Sequence, residues 1–131
     1  MIIHKGMKSI LALTLDNKLI SEMNSTFAKK RVAEVRTFSE SLELIDYFLK
    51  QYVPLIVLDI DVLKEKVLHL IRILRSIHRE TQFILVLSSK NMQICSAALS
   101  QGVVSYQVKP ISTENMLEVV ASTLKIPIHN N

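Results

Sequence analysis

Three side chains of complementary chemistry stand where apolar runs of the chain give out. Asp59 follows Leu55–Leu58, Ser88 follows Phe83–Leu87, and Lys109 follows Val103–Val108. A carboxylate that meets a hydroxyl donor and an ammonium can capture a phosphoryl group. The carboxylate is the nucleophile, the hydroxyl donates to a phosphoryl oxygen, and the ammonium neutralises the added charge. Two more acids, Asp16 and Asp61, fall at the same kind of boundary. Each residue alone has a plainer use: Asp or Ser after a strand caps the next helix, and Lys before Pro110 suits a solvated loop. The chemical reading rests on their convergence.

Convergence needs elements that bring separate strand ends to one edge, and the pattern supplies them. Ile10–Leu15, Leu55–Leu58 and Phe83–Leu87 are nearly unbroken apolar runs, as in strands covered on both faces. Val32–Phe38 alternates less cleanly and reads as an edge strand, and Val103–Val108 completes five. Between them, apolar residues recur at helical spacing: Leu19, Ile20, Met23 and Phe27; Leu42, Ile45, Phe48 and Leu49; Val67, Leu70, Ile71, Leu74 and Ile77; Met92, Cys95, Ala98 and Leu99. Met116, Leu117, Val120 and Leu124 form the last stripe. Ser39 and Ser112 are the expected caps of the second and fifth helices, and Gly102 the stop of the fourth. Strand–helix alternation of this kind implies right-handed crossovers and a doubly wound parallel α/β sheet, with its functional crevice at the carboxyl ends of the strands.

Composition narrows the chemistry further. The 131 residues, 49% of them apolar, suit one domain. With only Gly6 and Gly102, the chain cannot write a P-loop or a G-x-G-x-x-G turn. A single Cys95 excludes a disulfide framework, and the scattered His4, His69, His78 and His129 offer no metal pair. No apolar stretch is long enough to span a membrane, and the N-terminus has no signal-peptide core, so a cytoplasmic location is expected. The net charge of +4 is mildly basic. Lys64, Lys66, Arg72, Arg75 and Arg79 cluster on the third helix and suit a solvated face. No helix-turn-helix follows the last strand, so no direct nucleic-acid binding is expected.

Three segments then resemble the receiver domain of two-component response regulators over residues 9–125. They are Gly102-Val-Val-Ser-Tyr-Gln-Val-Lys-Pro110, Leu55-Ile-Val-Leu-Asp59 and Ile84-Leu-Val-Leu-Ser88-Ser89. The resemblance implies a flavodoxin-like fold with strand order 2-1-3-4-5, Asp59 as phosphoacceptor and Ser88 and Lys109 as phosphoryl contacts. It also implies Ser88 and Tyr106 as switch residues, and a cis bond before Pro110. The domain would span 1–125, with 126–131 a tail or the start of a linker.

Departures from the family pattern bear on metal binding. Receivers usually carry two adjacent acids after the first strand for Mg²⁺, and here those positions are Thr14 and Leu15. Asp16, Asp59 and the backbone of Asp61 are the remaining candidate ligands, so Mg²⁺ binding and phosphotransfer are both expected to be weak. Val62, Leu63 and Val67 also replace the family's usual Met-Pro and glycine. The chain is therefore expected to be a non-enzymatic phosphorelay protein, taking its phosphoryl group from a histidine kinase or phosphotransfer protein. It would signal to an output domain or protein partner through the fourth helix, fifth strand and fifth helix. That face would also serve a homodimer, with Met92, Ile94, Leu99 and Val103 as its apolar centre. A phosphorylation-independent interaction module (a pseudo-receiver) is the alternative, and a flavodoxin-like nucleotide or flavin binder a remote one.

Overall fold

Runs of Leu, Ile and Val become strands here because helices cover both of their faces. The computed structural model describes residues 8–103 and 105–126. Its strands are β1 (Lys8–Leu13), β2 (Ala33–Phe38), β3 (Leu55–Asp59), β4 (Gln82–Leu87) and β5 (Ser105–Val108). They form one parallel sheet in the order β2-β1-β3-β4-β5. All five residues of β3 are buried, while β2 and β5, at the edges, are largely open. The flavodoxin-like order expected from the family resemblance is the order observed.

The main helices are α1 (Asn17–Met23), α2 (Ser41–Lys50), α3 (Lys66–Ile77), α4 (Met92–Leu99) and α5 (Thr113–Leu124). A π turn, Asn24–Ala28, extends α1, and one helical turn, Ile60–Leu63, follows β3. Alternate strand residues feed two cores. Leu11, Leu13, Ile56, Leu58 and Leu85 pack with Leu44, Phe48 and Leu70 on one side. Ile10, Ala12, Val57 and Val86 pack with Met23, Phe27 and Val120 on the other. This is the period-2 alternation of a sheet buried on both faces.

Several boundaries differ from the sequence expectation. β1 stops at Leu13, which leaves Thr14 and Leu15 in the loop, and β3 runs on to include Asp59. Ser39 does not cap α2: the extended Glu40 precedes it, with no side-chain capping bond. Ser112 does cap α5, its Oγ accepting from Asn115 N–H at 3.2 Å. Gly102 closes the turn after α4 at φ +81°, a region open to glycine at little cost. Arg75, expected on a solvated basic face, reaches instead to the carbonyls of Gln101 and Gly102 and lies over the Phe83 ring. It ties α3 to that turn. The tail from 127 onward, residues 1–7 (His4 among them) and His129 lie outside the described residues. Ile126 packs against the second core.

Candidate functional site

Strand register builds the site. Leu13 pairs with Leu58, so Thr14 and Asp59 stand next to one another one step further along, on the same face of the sheet. Asp59 is fully buried at the end of β3. Thr14 Oγ1 donates to Asp59 Oδ2 at 2.7 Å, and Lys109 Nζ donates to the same oxygen at 2.8 Å. The other oxygen, Oδ1, accepts the Asp61 N–H at 3.0 Å, which starts the helical turn after β3. A buried carboxylate is costly without such partners, and this one has three.

Lys109 leaves β5 by way of its N–H bond to Leu87 O and enters a cis bond to Pro110. Its ammonium lies 3.2 Å from Asp61 Oδ2 and 3.6 Å from Asp16 Oδ2, so three carboxylates surround one cation. Desolvation alone would lower the Lys109 pKa, but the hydrogen bonds and charges of Asp59 and Asp61 override it and hold it above the ordinary lysine value. Asp16 also caps α1, its Oδ1 accepting from Lys18 and Leu19 N–H.

Ser88 hydrogen-bonds Asp61 rather than Asp59. Its Oγ donates to Asp61 Oδ2 at 2.5 Å, and its N–H donates to the same carboxylate at 2.9 and 3.1 Å. Asn91 Nδ2 adds a fourth contact at 2.6 Å. Partial burial pushes the Asp61 carboxyl up, but the bonds from Ser88, Asn91 and Lys109 outweigh it and leave its pKa far below the usual carboxylate range. The side chain of Asp61, a candidate from sequence only through its backbone carbonyl, is thus the most heavily bonded group in the site. The i, i+2 spacing from Asp59 is the available signal, but which way a side chain points from the single helical turn after β3 is not legible from spacing. Thr14, a lost acid by sequence, bonds the candidate nucleophile directly through its hydroxyl.

The donor set does not suit Mg²⁺, the ion the family resemblance implies. Mg²⁺ requires oxygen ligands around it in octahedral array. Here the carboxylate oxygens of Asp59 and Asp61 already face N–H, O–H and ammonium donors, and Lys109 stands among the acids where a cation would be held. Among the described residues, no group of three or more His, Cys, Asp or Glu side chains is arranged to hold a metal ion.

Beside Lys109 a cleft of about 360 Å³ opens, lined by Asp16, Lys18, Leu19, Glu22, Pro110 and Ile111. Tyr106 and Val108 project outward from β5, 38% and 39% exposed. Of the residues expected to centre the neighbouring face, three are half-buried and one is buried. Val103 is buried with Cys95 and Ala98 of α4, while Met92, Ile94 and Leu99 pack against the core and keep part of their surface open. No described helix is long and apolar enough to cross a membrane.

Solved structures of several receivers share this architecture. A response regulator from Thermotoga maritima superposes with a TM-score of 0.80 at 17% identity, covering 91% of this chain and 98% of its own. A CheY-like receiver domain protein from Methanospirillum hungatei gives 0.79 at 18% identity, with 91% and 94% covered. A signal receiver domain of a two-component histidine kinase from Clostridium thermocellum gives 0.77 at 24% identity, with 91% and 98% covered. No curated protein matches the chain. The sequence profile of the response regulator receiver domain matches residues 13–121, and the chain therefore belongs to that family of two-component signalling domains.

Proposed function

We propose that this chain is a phosphoacceptor receiver in which Asp59 takes the phosphoryl group of a phosphohistidine on a histidine kinase or phosphotransfer protein. An Asp59 oxygen forms the new bond to phosphorus as the P–N bond breaks. The electron pair returns to the imidazole nitrogen, which takes up a proton. Lys109 offsets the charge brought in, as its 2.8 Å contact with Asp59 allows. That contact, between a buried carboxylate at one strand end and an ammonium from another, is the observation that carries the reading. Thr14 and Leu15 stand where the family's acidic pair would hold Mg²⁺, so the meeting oxygens have little metal screening and transfer is slow. Output passes through the face of α4, β5 and α5, where Tyr106 and Val108 are open to a partner, an output domain or a second copy. The free, buried Cys95 suits work in a reducing cytoplasm.

The pseudo-receiver reading is favoured by one observation: Thr14 and Asp61 already occupy groups that phosphorylation would need. Incubation with phosphoramidate, followed by intact mass spectrometry, decides between the two. A phosphoryl mass gain that Asp59→Asn abolishes supports the phosphoacceptor. No gain under any condition, with partner binding unchanged by Asp59→Asn, supports the interaction module.

A further inference from the structure

Phosphotransfer to Asp59 has no use for the Asp61 side chain, yet its carboxylate holds the donors that a phosphoryl group would need. The Ser88 hydroxyl and Lys109 ammonium both address Asp61 Oδ2, at 2.5 and 3.2 Å. The Ser88 N–H and Asn91 amide complete the cradle. A phosphoryl group on Asp59 would present anionic oxygens to the same hydroxyl and the same ammonium. Two anions cannot share those donors without repulsion in a partly desolvated pocket.

We propose that Asp61 is a built-in anionic occupant of the phosphoryl-binding donors. It holds the Ser88 hydroxyl drawn in and Lys109 engaged, and it must be displaced before a phosphoryl group can settle on Asp59. The inference rests on the receiver reading, since it names what competes at that same site. A purely structural role for Asp61, pinning the loop after β4 to the turn after β3, makes the opposite prediction. Loosening that pin would disorder Ser88 and slow labelling.

The test compares the unmodified chain with Asp61→Asn and Asp61→Ser, with circular dichroism melting to establish that each variant folds. Asp61→Asn keeps an acceptor for the Ser88 N–H but removes the charge, and Asp61→Ser shortens the side chain as well. The readouts are the rate of Asp59 labelling by phosphoramidate and the binding of beryllofluoride followed by ¹⁹F NMR. Removing a unit charge at hydrogen-bond range should raise both by about tenfold or more in at least one folded variant. If the parent is labelled and neither variant is labelled faster, the inference falls while the receiver reading stands. If neither parent nor variants are labelled, both fall. Labelling of the variants alone would support the inference and overturn the reading of the unmodified chain as a phosphoacceptor.

Discussion

Replacing Lys109 by Met should expose how much of the fold depends on one ammonium. Asp59 is fully buried, and Lys109 is its only cationic partner among the described residues. Removing one member of a buried ion pair typically costs about 3–5 kcal/mol, because the other charge is stranded. Here the loss is moderated. Thr14 Oγ1 and the Asp61 N–H still bond Asp59, and the Lys109 side chain is 19% exposed. We expect about 2–3 kcal/mol, read as a lowered urea midpoint at unchanged slope, or as a drop in Tm of about 6–15 °C for a domain of this size. In an Asp59→Asn background the same replacement strands no fully buried charge, only the partly exposed Asp61 and Asp16, so its cost should fall to about 1 kcal/mol, a coupling that a double-mutant cycle reports. Because the folded-state pKa of Lys109 is raised, its contribution is complete below the ordinary lysine value of 10.5 and is lost as pH rises through the folded value. The parent should therefore lose its advantage over Lys109→Met at strongly alkaline pH. A cost within about 0.5 kcal/mol of zero at neutral pH, or an equal cost in both backgrounds, would refute the reasoning.

Asp61 carries the opposite pH signature: its lowered pKa stabilises the fold above the ordinary value of 3.8 and is lost as pH falls, so Asp61→Asn should flatten the acid limb of the stability profile measured by urea unfolding. Thr14→Asp with Leu15→Asp should raise Mg²⁺ affinity well above the parent's, detected by isothermal titration, since two added carboxylates supply ligands and charge; equal titrations of both would count against it. Gly102→Ala should cost about 1–2 kcal/mol in thermal unfolding, because φ +81° strains any residue with a Cβ, while Arg75 Nη1 at 3.5 Å from the new methyl still leaves ordinary contact.

How much is legible before folding depends on whether a feature is local. Binary pattern is local. The apolar runs at Leu55–Leu58 and Phe83–Leu87 had to be covered on both faces, and the helical stripes between them supply the cover, so the doubly wound sheet can be read directly. The site's location follows too, since parallel strands put Asp59, Ser88 and Lys109 at one edge whatever the loops do. Which donor meets which acceptor is another matter. Thr14 reaches Asp59 only because β1 ends at Leu13 and its register with β3 carries both residues to the same face. Ser88 turns to Asp61 only because the helical turn at Ile60–Leu63 aims that carboxylate at the loop after β4. Arg75 leaves its basic face because two carbonyls of the turn after α4 lie within reach. Such pairings span 26 to 45 residues of chain and differ by a bond rotation. Hydrophobic periodicity chooses the scaffold over tens of residues at once, but individual polar contacts are decided by tertiary distances of a few ångströms, which composition and spacing do not encode.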